Sequence, residues 1–378
     1  MSLCRRDFLA SAAAAAVITS PALAAPTATV SMARAKSYNP IGLRPTLERL
    51  FDGIGGLGRL VNNKTVCIKV NLTSGPGLRL GHTPAGLAHY WTHPNVLGVV
   101  VSLMGKAGAK RIRIVESPWS TTDPLEEYML AANWEPLDIL NAASKVEFEN
   151  TNFLGSANKY SRFAVPNDGH LFTHYDLNHS YYDCDVFVSM AKLKEHATAG
   201  VTMTMKNCFG ITPCTIYGDG AGKDEPSLAP SGGRGSVFHA GQRPPSLSAV
   251  QEKSKTTPRD GGYRIPRAVA DLVAARPIDL GIIDGIESMA GGEGPWIRGT
   301  RRCSPGMLIA GTNCVNVDAV GTSVMGFDPM ADRGAAPFET CDNTLRLAEE
   351  LGVGTRDLKR IEVAGLQIAD ARFEIRKS

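Results

Sequence analysis

Short apolar, β-branched runs alternate with helical spacing along most of this chain. VCIKV (Val66–Val70), RIRIV (Arg111–Val115), VFVSM (Val186–Met190), IDLGII (Ile278–Ile283) and the run Met307–Ala310 are nearly continuous rather than alternating. That is the pattern of strands covered on both faces. Between them the spacing predicts helices. His93–Ala107 has Pro94 in its first turn and Gly108 as its stop, and Asp123-Pro124 opens another helix. A partly irregular β region follows to about Phe172, and then Ile265–Ala275, Val315–Met325 and Thr344–Leu351 read as helices, with a last strand near Ile361. The alternation predicts an α/β fold: a mostly parallel sheet with helices on both faces.

Two stretches break the rhythm. Residues 212–262 are rich in Gly, Pro, Ser and charge. A loop of that length inside a compact domain is either functional or disordered, so it reads as a lid over a site or as a floppy insertion. Just before it lies KLKEHATAGVTMTMKNCFG, Lys192–Gly210, with three lysines, a histidine and an asparagine among apolar residues. From Ala199 on, helix and strand spacings both fit. A helix is preferred, because a parallel sheet needs a crossover after VFVSM. Lys192, Lys194 and His196 then sit at a helix start, where free N–H groups and the dipole favour an anion.

Ligands in open α/β sheets bind beyond the carboxyl ends of the strands. Here those ends are polar: Lys69 and Asn71, Glu116-Ser117, Lys194-Glu195-His196, and Asp284 with Glu287. Together they favour one shared cleft. Lys206 and Asn207 lie between Met205 and Cys208-Phe209, and burying lysine is costly unless it is paired or faces a polar cleft. The acidic side comes later, in DGIESMAGGEGPWIRG, where Asp284, Glu287 and Glu293 share a loop with Gly292 and Gly294. Asp318 follows in NVDAV as either a dipole partner in a helix's first turn or a site residue. Asp284, Glu293 and Asp318 either pair with the lysines or hold a hard divalent cation through oxygen. His82, His89 and His93 form a loose group that reads as surface, and His239 sits in the insertion. No Walker A, G-x-S-x-G, H-E-x-x-H or S-x-x-K pattern occurs.

The N-terminus changes the setting. MSLCRRDFLASAAAAAVITSPALAAP has a basic start, a short apolar run and an Ala22-Leu23-Ala24 cleavage pattern. CRRDFLA is similar to the twin-arginine signal, with Cys4 and Ala10 as departures. It implies periplasmic or other export through the twin-arginine translocase. The run is shorter than the ~20 residues of a membrane span, so no transmembrane segment is expected in the mature chain. Removing Arg5, Arg6 and Asp7 lowers the formal charge from +3 to +2, too weak a balance for a nucleic-acid surface. The cysteines after the signal form no C-x-x-C, so no iron–sulfur or zinc-ribbon spacing is present. Cys208 and Cys214 are close enough in sequence to consider a disulfide.

In combination these segments resemble the DUF362 family, a domain named for its lack of a known function. The matching elements are KVNL (Lys69–Leu72), GA.....VES (Gly108–Ser117), KLK.H with KN.FG (Lys192–Gly210), IIDGI....GGEGP..G (Ile282–Gly299) and VDAV with MGFDP up to Pro329. Some relatives carry an appended ferredoxin-type cysteine cluster; this chain lacks it, so no iron–sulfur role carries over. The resemblance points to Lys69, Lys192, Lys194, His196, Lys206, Asn207, Asp284, Glu293 and Asp318 as functional positions and supplies no reaction. The expected organisation is a signal peptide at 1–24, an N-terminal extension at 25–59, an α/β domain at 60–330 with the insertion 212–262, and a helix and strand at 331–378 that complete it. The expected function is a cleft for a small carboxylate- or phosphate-type anion. In a catalytic version His196 would be the acid or base, and Lys206 or Lys192 would stabilise negative charge. Lys69, Asn71, Lys194, Asn207, Gly292 and Gly294 would hold the ligand. The rival reading is a non-catalytic periplasmic binder, or an accessory or maturation factor for a redox system. The cofactor and the oligomeric state are left open.

Overall fold

The computed structural model describes residues 28–75, 83–228 and 232–377. The twin-arginine segment and His82 lie outside the described residues. Among the described residues twelve strands occur in chain order: β1 Val30–Arg34, β2 Thr65–Lys69, β3 Arg111–Glu116, β4 Val146–Asn150, β5 Ser161–Ala164, β6 His174–Leu177, β7 Val186–His196, β8 Gly200–Val201, β9 Leu280–Ala290, β10 Arg301–Cys303, β11 Met307–Gly311 and β12 Val363–Gly365. Ten form one sheet in the order β12-β1-β11-β9-β7-β2-β3-β4, with β10 on β9 and β8 on β7; β5 and β6 pair separately. The run from β9 through β7, β2 and β3 to β4 is parallel, and β11 is antiparallel to both β1 and β9. The chain is thus an α/β protein with a mostly parallel sheet, as the apolar runs indicated. Val30–Arg34, within the stretch read as an N-terminal extension, lies inside that sheet between β12 and β11.

Strand alternation divides the core. Val66 and Ile68 of β2 and Val186, Val188 and Met190 of β7 point to one face, under the helices Pro40–Asp52 and Pro94–Lys106. Cys67 and Phe187 point to the other, under the helix Gly261–Ala275. Each fully buried Val, Leu or Ile stabilises the fold by about 1.5–3 kcal/mol relative to exposure. The helix Pro94–Lys106 starts where the sequence placed it. Pro94 needs no N–H partner in the first turn, and His93 Nδ1 accepts from the Asn95 N–H at 3.1 Å.

The segment Lys192–Gly210 departs from expectation. β7 does not stop at Met190 but continues to His196, turns back through Gly200 at φ 71, and pairs with β8. Helical structure covers only Thr204–Asn207 before a 3-10 turn. Lys192, Lys194 and His196 are therefore strand residues and do not sit at a helix start. The cause is lateral pairing: Lys192 is matched with Asp284 and Lys194 with Met289 on β9, across a register shift. The crossover from β7 to β9 is made by Gly261–Ala275, so no helix is required directly after β7.

The described parts of the insertion, 212–228 and 232–262, are packed down. Tyr217, Val237 and Phe238 are buried in the second core, so this segment is a wall of the molecule. Cys208 and Cys214 are not joined in a disulfide; their thiols donate to Thr204 O at 3.6 Å and Trp119 O at 3.4 Å. No helix among the described residues is long and apolar enough to cross a membrane.

Candidate functional site

A cavity of about 330 Å³ opens beyond the carboxyl ends of β2, β3 and β7. At its base is a buried ion pair. Lys69 ends β2 on the Cys67 side of the sheet, and its Nζ lies 2.5 Å from Glu116 Oε1 at the end of β3. Nζ also donates to Val70 O at 2.7 Å and Asn207 Oδ1 at 3.2 Å, while Glu116 Oε2 accepts from the Leu72 N–H at 3.0 Å. Burial lowers the lysine pKa and raises that of the glutamate, and each charge holds the other against that trend.

Gly210 presses on this pair. A Cβ there would sit 2.9 Å from Lys69 Nζ and 3.1 Å from Glu116 Oε1. Both partners are enclosed and cannot swing into water, so Gly210→Ala should cost about 1–3 kcal/mol in urea unfolding. An unchanged midpoint would mean the pair has slack that its packing does not suggest.

Asn207 anchors the next layer. Its Oδ1 accepts from Asn71 Nδ2 at 3.0 Å as well as from Lys69, and its Nδ2 donates to Ser189 Oγ at 3.1 Å. Asn71 Oδ1, buried on the cavity wall, has no hydrogen-bond partner among the described residues. An unmet buried acceptor costs about 1–3 kcal/mol, so this atom is a ready acceptor for a donor entering the cavity.

Lys206 and Asn207 ride on a turn held from below. The buried Asp318 carboxylate accepts from the Thr204 N–H at 2.9 Å, the Met205 N–H at 2.9 Å and the Thr204 hydroxyl. Burial pushes its pKa up to about 7, and those three donors hold it from rising further. Met203, just ahead, has φ 140, a conformation costly for a side-chain-bearing residue. Asp318 therefore positions the turn and does not line the cavity.

The cationic wall comes from two segments. The Lys206 ammonium lies 4.3 Å from the centroid of the Phe209 ring and has no hydrogen-bond acceptor among the described residues. Burial pushes its pKa down to about 8; Glu293 works against this, and Arg234 and Lys69 add to it. Arg234, from the insertion, is 5 % exposed. Its guanidinium donates to Thr212 O at 2.6 Å and Ser117 O at 3.0 Å and meets no carboxylate among the described residues.

His196 ends β7 on the cavity wall. Its Nδ1 accepts from the Thr198 N–H at 3.1 Å, so the neutral ring carries its proton on Nε2. Burial, with Lys206 beside it, pushes the pKa down to about 3. The near-neutral titration of an ordinary histidine, which would suit the acid or base role, is not what its surroundings permit. His239 is pushed down to about 4, again by burial and then Lys206. Glu293 lies opposite, its Oε2 accepting from the Ala197 N–H at 3.0 Å and standing 3.7 Å from His196 Nδ1. Burial opposes its ionisation, but His196, the Ala197 N–H and Lys206 outweigh it and hold the carboxyl at about 2.

The remaining candidates lie elsewhere. Lys192 is fully buried on the Met190 side of the sheet, where its Nζ donates to Asp284 Oδ2 at 2.8 Å and to the Tyr38 hydroxyl at 2.9 Å. Tyr38 in turn donates to Asp284 at 3.1 Å, and the Ile286 N–H caps the same carboxylate at 3.0 Å. Lys194 is also fully buried and donates to Tyr90 O at 2.8 Å and Glu293 O at 3.0 Å, which ties down the glycine loop without facing the cavity. Gly292 and Gly294 shape that loop: a Cβ at 292 would meet Ile297 at 2.9 Å, and one at 294 would run into the Trp296 ring. Asp284, Glu293 and Asp318 are each taken up by a different set of partners and do not converge. Among the described residues no group of three or more His, Cys, Asp and Glu is arranged to hold a metal ion. His89 and His93 border a separate cavity of about 480 Å³; His89 bonds Ser288 O at 3.0 Å and His93 stacks on Tyr38 at 3.6 Å.

Lys69, Asn71, His196, Lys206, Asn207 and Glu293 thus meet in one cavity, while Lys192, Lys194, Asp284 and Asp318 support it or lie behind it. Sequence reasoning missed Arg234, Trp119 and Trp296. Trp119 follows the end of β3 by three positions, so the strand-end rule could have found it. Nothing in the insertion distinguished Arg234. With both histidines neutral, Lys69, Lys206 and Arg234 outnumber Glu116 and Glu293, leaving one uncompensated positive charge in the cavity. Such an arrangement can hold one oxyanion.

Residues 66–323 match the family described as Domain of unknown function (DUF362). A thylakoid-associated protein of Synechocystis sp. is 28% identical over 305 residues, covering 79% of this chain and 75% of that protein. A crystal structure of a Thermotoga maritima protein aligns over 48% of this chain and 40% of its own length, at 13% identity and a TM-score of 0.31.

Proposed function

The chain belongs to the DUF362 family, and on that premise we propose that it binds a small anion in the cavity bounded by Lys206, Arg234 and His196. One observation carries this reading: two cations, the half-buried Lys206 and the buried Arg234, face a cavity without a carboxylate bonded to either. An uncompensated buried charge is expensive, and a carboxylate or phosphate oxygen would offset that cost. His196 adds a neutral N–H donor. Binding is favoured over turnover, because a histidine whose Nδ1 is occupied and whose Nε2 already carries a proton is a donor, not a base. Were a proton to be moved, Lys206, at about 8, is the group placed for it. The test is calorimetry with acetate and with inorganic phosphate on the full mature chain. Saturable binding by the wild type, with Arg234→Met weaker by about 30-fold or more, is the expected result. No saturable binding of either anion would remove the proposal.

The same protein is read as exported. The support is the CRRDFLA segment at residues 4–10 and the name of the Synechocystis relative, which places that protein at a membrane system. Changing Arg5 and Arg6 together to lysine should leave the precursor in the cytoplasm of the producing cell. Normal release of the double variant would rule out the twin-arginine route.

A further inference from the structure

The cavity has a second chemical feature that its charges do not explain. The chain contains four tryptophans. Trp91 and Trp134 are core residues, 1 % and 4 % exposed. Trp119 and Trp296 are 52 % and 41 % exposed, and both line the same cavity. They come from unrelated segments, one after β3 and the other in the glycine loop after β9. A large apolar side chain exposed by itself is ordinary, but two indoles exposed at the rim of one polar-lined pocket form a patch of the kind that marks a ligand-binding groove.

Each indole is held from behind. The Trp119 ring lies against Gly233, where a Cβ would come within 2.6 Å of it. The Trp296 ring lies over Gly294 and meets the Tyr90 ring edge-on at 5.7 Å and 85°. Two glycines therefore leave room for two indoles, and each indole stays about half exposed. Neither indole N–H has a hydrogen-bond acceptor among the described residues, so both remain available as donors. At about 330 Å³ the cavity is near the small end of ligand pockets, which run ~300–1,000 Å³. It is far larger than a bare carboxylate or phosphate needs.

We infer that the ligand is an organic anion with a planar aromatic or heteroaromatic ring: its acidic group meets Lys206 and Arg234 inside, and its ring packs on Trp119 and Trp296 at the mouth. This rests on the anion-binding reading and goes beyond it by specifying the rest of the molecule. Aromatic packing of this kind adds to the charge contact and discriminates between anions that share an acidic group.

The experiment compares 2-naphthoate with acetate and inorganic phosphate, by calorimetry and by quenching of indole fluorescence, on the full mature chain. Naphthoate should bind at least tenfold more tightly than acetate and quench the emission. Trp119→Ala and Trp296→Ala should each weaken naphthoate by ~2- to 12-fold and weaken acetate and phosphate by less. Trp119→Phe and Trp296→Phe should restore part of the naphthoate affinity, which separates ring packing from a general disturbance of the fold. Equal affinity for acetate and naphthoate, or equal losses for all three probes in the alanine variants, would overturn the inference while leaving the anion site standing. Failure of all three probes to bind would take the anion site down with it.

Discussion

Lys206→Met should weaken acetate binding by about 30-fold or more and should also abolish its pH dependence above neutrality. The size follows from removing one member of an enclosed charge pair, which costs ~2–5 kcal/mol. The sign of the pH effect follows from the free-state ionisation. Lys206 titrates near 8 before ligand enters, and a bound anion favours the ammonium and raises that value. Affinity is then full below about pH 8 and falls, by up to tenfold per unit, as the pH climbs through the free-state value toward the bound-state one. Carboxylate probes suit the measurement, because acetate stays ionised across that window. His196 and His239, at about 3 and 4, remain neutral there and add no slope. A wild-type affinity that is flat from pH 7 to 10, or a slope that survives in the methionine variant, would show that another group bears the ligand's charge.

The second large effect concerns stability. Lys192→Met should destabilise the protein by ~3–5 kcal/mol, because it strands the Asp284 carboxylate in the core. Asp284 is fully buried, and after the substitution it keeps only the Tyr38 hydroxyl and the Ile286 N–H. Lys192→Met combined with Asp284→Asn should recover most of that loss, since a neutral amide can still accept from both donors. Urea unfolding of the two single variants and the double variant forms the required cycle. A double variant no more stable than Lys192→Met would mean the lysine is held by something other than this charge. Acetate affinity should be nearly the same in the double variant and the wild type, because this pair lies on the other side of the sheet from the cavity.

These two lysines show how far the sequence could be read. Lys192 and Lys206 look alike along the chain: both stand among apolar residues, and both were candidates for charge stabilisation. Their fates differ because strand alternation sends Lys192 to the Met190 side, where β9 presents Asp284 in register. Lys206 sits on a short turn after β8, with no carboxylate bonded to it. Asp318 shows the same limit. Its place in an apolar helix marked it as unusual, but only its contact with Thr204 and Met205 shows that it holds the turn from beneath. The histidine at 196 was legible by position but its protonation was not, since a pKa depends on burial and neighbours that no local pattern contains.

Local pattern was sufficient for the α/β class, for most strands and helices, and for the rule that polar residues at strand ends gather at one edge. Those features depend on side-chain periodicity and turn chemistry, which act over a few residues and are written directly in the order of the chain. Three things were decided only in three dimensions: the extension of β7 to His196, the packing of residues 212–262 as a wall carrying Arg234, and the choice of which lysines are paired and which face a cavity. Each depends on which strand lies beside which and in what register. That is settled by burial and hydrogen bonding summed over the whole sheet, between residues that can be a hundred or more positions apart.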